Sequence, residues 1–229
     1  HHEVPIETTL TPVLYQGEPC IQAVWRDLSD LKAKERRIKE LAFFDELTGL
    51  ANKNLFSDRL KNLITIAQRQ HYTIAVFYIE INDLGDINET LGVDAGESVI
   101  KAVGERLAQK VRGADTLGRC VLDNIDCEEV AAPTLTNTDR EFDSLARLNS
   151  DVFALAAVIS GPEAASTLLA RLQRHISQPF FVPEGEVTVS IKAGISLYPQ
   201  DSDNYESITR GAGIALNMAR ESGFSSCFF

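Results

Sequence analysis

The sequence has no long apolar run and no excess of positive charge. Within its 229 residues no apolar stretch approaches about 18 residues, the length that a membrane-spanning helix requires. The first ten residues also lack the apolar core of a signal peptide. The formal net charge is −11, which argues against a nucleic-acid surface, because phosphate contacts require clustered Lys and Arg. We therefore expect a protein with no membrane span that does not bind nucleic acid.

Cysteines are few and widely spaced. The four, Cys20, Cys120, Cys127 and Cys227, match no common zinc-binding pattern. Ordinary thiols in a reducing cytoplasm are the better interpretation, so we expect a cytoplasmic location. The composition is otherwise that of a globular protein, with 44% hydrophobic and 24% charged residues. The length suits one domain with a full core plus a short appendage.

Two stretches predict acidic side chains at neighbouring strand ends. In RLNSDVFAL at 147–155, the polar Asn-Ser pair predicts a hairpin turn, and Asp151 the start of the returning strand. In VFYIEIN at 76–82, Glu80 lies near the end of a buried strand. Two such carboxylates suit Mg²⁺ bound to a nucleotide, because Mg²⁺ prefers hard oxygen ligands. Taken alone, acids that simply end strands near water are the simpler interpretation.

Three further motifs occur in order around this hairpin. They read DELTGLAN at 45–52, INETLGVDAGE at 87–97 and SIKAGISLYP at 190–199. They resemble the D-x-L-T-G-L-x-N opening, the I-N-D-x-L-G-H-x-x-G-D segment and the S-x-G-I-A-x-x-P strand of GGDEF domains, the diguanylate cyclase family. The hairpin then falls at the family's G-G-D-E-F signature. The resemblance covers about residues 42–226.

The resemblance implies an α/β fold of the nucleotidyl-cyclase palm type, with a mainly antiparallel five-stranded sheet flanked by helices. Apolar periodicity predicts helices and strands that suit such a fold. The predicted helices are 54–70, 95–111, 162–176 and 207–221. Besides the hairpin, the predicted strands are 74–81, 187–191 and 193–197, with a loop between 81 and 95.

The N-terminal part predicts a separate unit. Residues 6–11 and 21–25 alternate in polarity, which predicts two strands. The end of this part, VWRDLS at 24–29, resembles the R-D-I-T/S close of PAS sensor domains. We therefore interpret residues 1–27 as the last strands of a truncated PAS domain.

A linker helix is predicted at residues 28–44, before a GGDEF domain at 45–229. Leu28, Leu31, Ile38 and Ala42 recur at heptad spacing. This spacing predicts a parallel coiled coil that would pair two subunits in a homodimer. The alternative is an amphipathic helix folded back on its own domain.

The segment 120–146 is rich in acidic residues and is interpreted as an insertion of about 28 residues, either a solvated acidic loop or a partner-binding arm. Just before it, Arg112 and Asp115 match the family's R-x-x-D inhibitory site, which binds cyclic di-GMP. A structural surface pair is an equally good interpretation of these two residues.

The resemblance implies a damaged signature. The five positions are Asn149, Ser150, Asp151, Val152 and Phe153. Glu80 and Asp151 keep acids at two positions that bind metal in the family. Val152 stands where the family has a metal-binding glutamate, and an isopropyl group offers no lone pair. The Asn-Ser pair replaces two glycines, so side chains stand where phosphate would approach the backbone.

The nucleotide contacts implied by the resemblance are also incomplete. Gly85 stands where the family has lysine, and Phe224 where it has arginine, whereas Arg220 replaces a lysine conservatively. Asn88 and Glu97 fall at the guanine-binding positions. We expect these to be remnants of a nucleotide site, with no catalytic residues and no cofactor, and with Mg²⁺ bound only if GTP binding survives.

The sequence therefore predicts a catalytically inactive GGDEF domain that acts as a regulatory relay in cyclic di-GMP signalling. Residues 178–191 resemble GGDEF domains that precede an EAL phosphodiesterase domain in the same chain, so a downstream EAL domain is the expected partner. The PAS–GGDEF–EAL layout is that of bacterial twitching-motility regulators of the FimX type. The alternatives are a GTP-binding allosteric sensor and a weakly active diguanylate cyclase, and either GTP or cyclic di-GMP would be the ligand.

Overall fold

The computed structural model describes residues 4–15, 18–114, 145–183 and 185–229. The chain divides into two compact units, His1–Ala42 and Phe43–Phe229. Most of the predicted acidic insertion, like Asp115, lies outside the described residues. No described helix has the length and apolar character needed to cross a membrane.

The first unit is a β-hairpin followed by a helix. Strands β1 (Ile6–Tyr15) and β2 (Glu18–Asp27) pair antiparallel, so the two predicted strands are confirmed and are longer than predicted. Helix α1 (Ser29–Phe43) begins where the carboxylate of Asp27 accepts a hydrogen bond from the Ser29 N–H at 2.7 Å. The helix predicted at 28–44 is therefore present.

The second unit is built on a five-stranded sheet. Its elements in chain order are α2 (Lys53–Gln70), β3 (Thr73–Ile81), α3 (Leu84–Leu91), α4 (Val93–Ala114), β4 (Leu145–Arg147), β5 (Val152–Ile159), α5 (Pro162–Ile176), β6 (Phe180–Val182), β7 (Gly185–Val187), β8 (Ile191–Tyr198), α6 (Tyr205–Ser222) and β9 (Ser226–Phe228). The strand order is β4-β5-β3-β8-β9, and only the β8–β9 pairing is parallel. The predicted mainly antiparallel sheet flanked by helices is confirmed.

Alternation along the central strands creates a core on each face of the sheet. On β3, Phe77 and Ile79 belong to one core, which includes buried residues of α4 and α5. Ile74 and Val76 belong to the other, which includes buried residues of α2 and α6. Helices cover both faces of β3, and its one charged residue, Glu80, stands next to its last residue.

Two local predictions were wrong. Residues 84–91, predicted as loop, form α3, because Leu84 and Ile87 are buried on one face of a short helix. The strand predicted at 187–191 is instead the end of a small β6–β7 hairpin and the start of β8. Leu145 and Ala146, at the end of the predicted insertion, are buried in strand β4, and the insertion itself stays a prediction.

Gly194 allows α6 to pack directly on β8. A Cβ atom at this position would lie 2.1 Å from the backbone nitrogen of Leu216 and 2.2 Å from the carbonyl oxygen of Ala212. Only glycine permits so close an approach of helix and strand. Helix α6 ends at Ser222, and its C-cap is Gly223, whose φ of 73° lies in the left-handed region that glycine favours. This packing determines where the last turn of α6 lies over the sheet.

Candidate functional site

The predicted metal-binding acids meet where β3 ends. Glu80 pairs with Val152 across β3 and β5, and the N–H of Ile81 donates a hydrogen bond to the carbonyl oxygen of Asp151 at 3.0 Å. The acidic residue of the hairpin turn therefore lies beside the end of the central strand. The structure brings Glu80 and Asp151 together, as the spacing of the two motifs suggested.

Arg220 joins these acids from the last turn of α6. Its Nε and Nη2 atoms donate to the two carboxylate oxygens of Glu80 at 2.7 and 2.6 Å. Its Nη1 atom donates to Oδ1 of Asn217 at 2.9 Å. The hydrogen bond to Glu80, helped by the charges of Glu80 and Asp151, outweighs burial and raises the pKa of Arg220 above its usual value. This is a bidentate arginine–carboxylate pair.

Val152 contributes no ligand to this group. Its side chain is only 5% exposed and packs in the core. Among the described residues no group of three or more Asp, Glu, His or Cys side chains is arranged to hold a metal ion. Mg²⁺ requires nearly octahedral oxygen coordination, and here one carboxylate is already engaged by a guanidinium. The residues present do not fit a divalent metal.

The signature turn closes on itself. Oδ1 of Asn149 accepts a hydrogen bond from the Val152 N–H at 3.2 Å, and the Leu148 N–H donates to the carbonyl of Val152 at 2.9 Å. Ser150 donates its hydroxyl to Oδ1 of Asp151 at 3.2 Å. In the described part of the chain the non-glycine residues with positive φ are His71 and Asp83, so this turn forms without a left-handed residue. The side chain of Asn149 replaces the conformational freedom of glycine.

Arg147 holds this turn against the loop that opens the second unit. It donates to the carbonyl oxygens of Asn149 and Ser150 at 3.0 and 2.9 Å, and its Nη1 lies 3.1 and 3.2 Å from the two carboxylate oxygens of Asp45. Burial alone would raise the pKa of Asp45, but hydrogen bonds from Thr48 and Arg147 lower it overall. Sequence reasoning named neither residue as part of the site, although both stand at motif edges.

The predicted guanine-binding residues lie on α3 and α4. Oδ1 of Asn88 is buried and has no hydrogen-bond partner among the described residues, whereas Glu97 is exposed. A Cβ atom at Gly96 would lie 1.9 Å from Oδ1 of Asn88, so glycine at this position makes room for the amide.

The remaining predicted site positions are Gly85, Phe224 and the Arg112–Asp115 pair. Gly85 is exposed on α3, and Phe224 is 65% exposed after α6. Arg112 lies on the last turns of α4, and its predicted partner Asp115 lies outside the described residues. The inhibitory-site hypothesis therefore stays a prediction.

Comparison with known proteins gives one consistent family. A bifunctional diguanylate cyclase/cyclic di-GMP phosphodiesterase of Pseudomonas aeruginosa, MucR, is 29% identical over 202 residues, which are 88% of this chain and 25% of the relative. This chain thus spans about a quarter of that protein's length. A sensory box/GGDEF family protein of Caulobacter crescentus has a similar structure, with a TM-score of 0.61 and 27% identity, over 79% of this chain and 99% of that one.

A GGDEF domain of lower identity shares the fold alone. The FimX GGDEF domain of Pseudomonas aeruginosa superimposes with a TM-score of 0.60 at 15% identity, over 81% of this chain and 96% of that one. The family model described as diguanylate cyclase, GGDEF domain, matches residues 42–125 and 128–226. Since this match covers most of the chain, the protein belongs to the GGDEF family of cyclic di-GMP signalling domains.

Proposed function

We propose that this domain is a catalytically silent GGDEF module that relays a signal to a downstream EAL domain. The observation that carries the proposal is the bidentate pair between Glu80 and Arg220. The Glu80 carboxylate and the Arg220 guanidinium bind each other, so neither is available to metal or phosphate. The fourth signature position, Val152, is buried and apolar.

The reaction explains why these losses matter. A diguanylate cyclase joins two GTP molecules by attack of each 3′-hydroxyl on the other α-phosphate, so catalysis consists of positioning and of stabilising phosphate charge. Removal of one such electrostatic contact costs about 10²–10³ in rate. Gly85, Val152 and Phe224 each supply no charge where the family has one, and losses of this size combine to abolish useful turnover.

The relay role rests on the N-terminal unit and on the relatives. The hairpin of residues 6–27 with α1 suits the end of a PAS-type sensor joined to a signalling helix. On α1, Leu31 and Ile38 are 52% and 66% exposed, as the seam of a homodimer requires in the separate chain. MucR carries cyclase and phosphodiesterase activities in its name, and the residues matched here are 25% of its length, which supports an EAL partner in the same polypeptide. A cytoplasmic regulator of twitching motility is the corresponding biological role.

One observation favours a second candidate, a GTP-binding allosteric sensor. The buried Oδ1 of Asn88 has no partner within the described chain, and a buried acceptor without a hydrogen bond is costly. The N–H groups of a guanine base would satisfy it, with the exposed Glu97 on the next helix as a second acceptor. This candidate requires binding but no reaction.

The decisive experiment is a cyclase assay on the purified chain with GTP and Mg²⁺ or Mn²⁺, beside calorimetric titrations with GTP and with cyclic di-GMP. The silent relay predicts no cyclic di-GMP while an active cyclase assayed in parallel produces it. Turnover at ordinary rates would overturn the proposal, and slow turnover abolished by Asp151→Ala would establish a weak cyclase.

The titrations separate the relay from the sensor. GTP binding that is lost in Asn88→Ala and retained in the exposed-site control Arg210→Ala would establish the sensor. Absence of GTP binding would eliminate it and leave the relay. Cyclic di-GMP binding that is lost in Arg112→Ala would identify the R-x-x-D pair as an inhibitory site.

A further inference from the structure

The acids at the strand ends already have a cation. Both carboxylate oxygens of Glu80 accept hydrogen bonds from Arg220. Asp151 lies at the same strand end, where its carbonyl oxygen accepts a hydrogen bond from the Ile81 N–H at 3.0 Å. The guanidinium is therefore bound to one of the two acids that would otherwise hold a metal, at the strand end that carries the other.

The fold fixes this arginine in place. Leu216 lies one helical turn before Arg220, and its backbone nitrogen is at the point where α6 approaches Gly194 of β8. Two residues earlier on β8, Lys192 pairs with Glu80. The close packing at Gly194 therefore places the next turn of α6 over the end of β3. The hydrogen bond from Arg220 to Asn217 further orients the guanidinium.

Lys192 adds a second positive charge at the same place. It is the residue directly opposite Glu80 in the β3–β8 ladder, and side chains in such pairs start about 5 Å apart on the same face of the sheet. Glu80 and Asp151 are then matched by Arg220 and Lys192. A divalent cation would enter a group that is formally neutral and would meet two like charges.

We infer that Arg220 is the resident cation of this site, with its guanidinium in the place of a divalent metal beside Glu80 and Asp151. The wild-type chain then binds no divalent metal at these residues. Removal of the guanidinium leaves two carboxylates close together, which is a weak site for Mg²⁺ or Mn²⁺. The inference shares the Glu80–Arg220 pair with the proposed function, but it is tested by metal binding without GTP, so its failure is distinguishable from cyclase turnover, which would overturn the proposed function.

The experiment measures Mn²⁺ binding by electron paramagnetic resonance on the full chain without nucleotide. The wild type is compared with Arg220→Ala, Arg220→Gln and the double variant Arg220→Ala/Glu80→Gln. Arg210→Ala serves as the matched control, because Arg210 is an exposed arginine on the same helix. A chain with a net charge of −11 is expected to bind some Mn²⁺ weakly and nonspecifically. Comparison between variants removes this shared contribution.

We expect Arg220→Ala and Arg220→Gln to gain one Mn²⁺ site, at least tenfold tighter than any in the wild type. The double variant should lose that site, and Arg210→Ala should gain none. The inference is overturned if neither Arg220 variant binds more Mn²⁺ than Arg210→Ala. Arg220 is 43% exposed, so its replacement should leave the fold intact.

A test on Glu80 alone covers the case in which both Arg220 variants fail to fold. A wild-type Mn²⁺ site that is abolished by Glu80→Gln would show that the guanidinium does not exclude metal. Identical Mn²⁺ binding by the wild type and Glu80→Gln supports the inference. The difference in melting temperature between the two proteins should also be the same with and without about 10 mM Mg²⁺. Weak carboxylate sites fill at concentrations on the order of mM, so a site at Glu80 would stabilise the wild type alone.

Discussion

Arg147 and Asp45 lie 102 residues apart in the chain and meet with one guanidinium nitrogen 3.1 and 3.2 Å from the two carboxylate oxygens. Their side chains are only 12% and 23% exposed. The same guanidinium binds the backbone of the signature turn. This contact therefore ties the first loop of the GGDEF unit to the turn that carries the signature, independently of any nucleotide.

Replacement of Arg147 should destabilise the domain. Arg147→Ala removes the guanidinium hydrogen bonds to the Asp45 carboxylate and to two turn carbonyls, although Thr48 still donates to Asp45. Hydrogen bonds to charged groups contribute about 1.5–3 kcal/mol. We expect the free energy of unfolding in urea to fall by about 2–3 kcal/mol. Arg210→Ala, at an exposed position of α6, should change it by less than about 0.5 kcal/mol. Equal effects of the two variants would contradict the structural role of Arg147.

Asp45 should make the free energy of unfolding depend on pH in the acidic range. Its pKa is lowered in the folded state because hydrogen bonds from Thr48 and Arg147 outweigh the opposing effect of burial. A lowered pKa contributes stability that is complete above the unfolded value, about 3.9, and is lost as the pH falls through the folded value. Below about pH 4 the free energy of unfolding should therefore fall more steeply with decreasing pH for the wild type than for Asp45→Asn. Parallel curves for the two proteins between pH 6 and pH 3 would refute this.

Gly194 and Gly213 should respond in opposite directions to alanine. At Gly194 the new methyl group would lie 2.1 Å from a backbone nitrogen, and overpacking of this kind costs about 1–3 kcal/mol or more. At Gly213 the nearest atom is a ring carbon of Tyr78 at 3.9 Å, so alanine gains helix propensity of up to about 1 kcal/mol. Thermal unfolding of the two variants checks this. A stable Gly194→Ala would mean that α6 does not need its close approach to β8.

Tyr78 should lose its phenol proton at an unusually high pH, and this ionisation should lower the free energy of unfolding. Burial, with a smaller effect of Tyr205, raises the pKa of Tyr78 to about 12, although a hydrogen bond with Thr209 opposes the shift. The folded state holds the phenol proton more tightly than the unfolded state does. The contribution of Tyr78 to the free energy of unfolding is therefore complete below about pH 10 and is lost as the pH rises through the pKa of the folded state. Ultraviolet titration near 295 nm should show one phenol fewer above pH 11 in Tyr78→Phe. A phenol lost near pH 10 instead would contradict burial as the cause.

The fold was predictable because its signals are local. Nearly continuous apolar runs marked β3 and β5, and periodic apolar residues marked α2, α5 and α6 within two residues of their observed ends. Helix α3 was missed because its eight residues carry an exposed glycine, Gly85, and only two buried apolar side chains. Strand β9 was missed since three residues form a strand only when β8 provides a neighbour.

The site was predictable as a set of positions but not as a set of contacts. Motif order placed Glu80, Asp151 and Arg220 near one another, whereas nothing local indicated that Arg220 binds Glu80 across 140 residues. That pair depends on the depth at which α6 packs on Gly194. The clamp between Arg147 and Asp45 likewise depends on how two loops meet in three dimensions.

The hydrogen bond from the Val152 N–H to the Asn149 side chain has a consequence for anions. Loops rich in glycine bind phosphate by leaving successive backbone N–H groups directed at it. In this turn an amide oxygen, covalently part of the chain, already fills the role of the anion. A phosphate that binds this turn must therefore first displace the side-chain oxygen of Asn149, which is covalently attached to the loop.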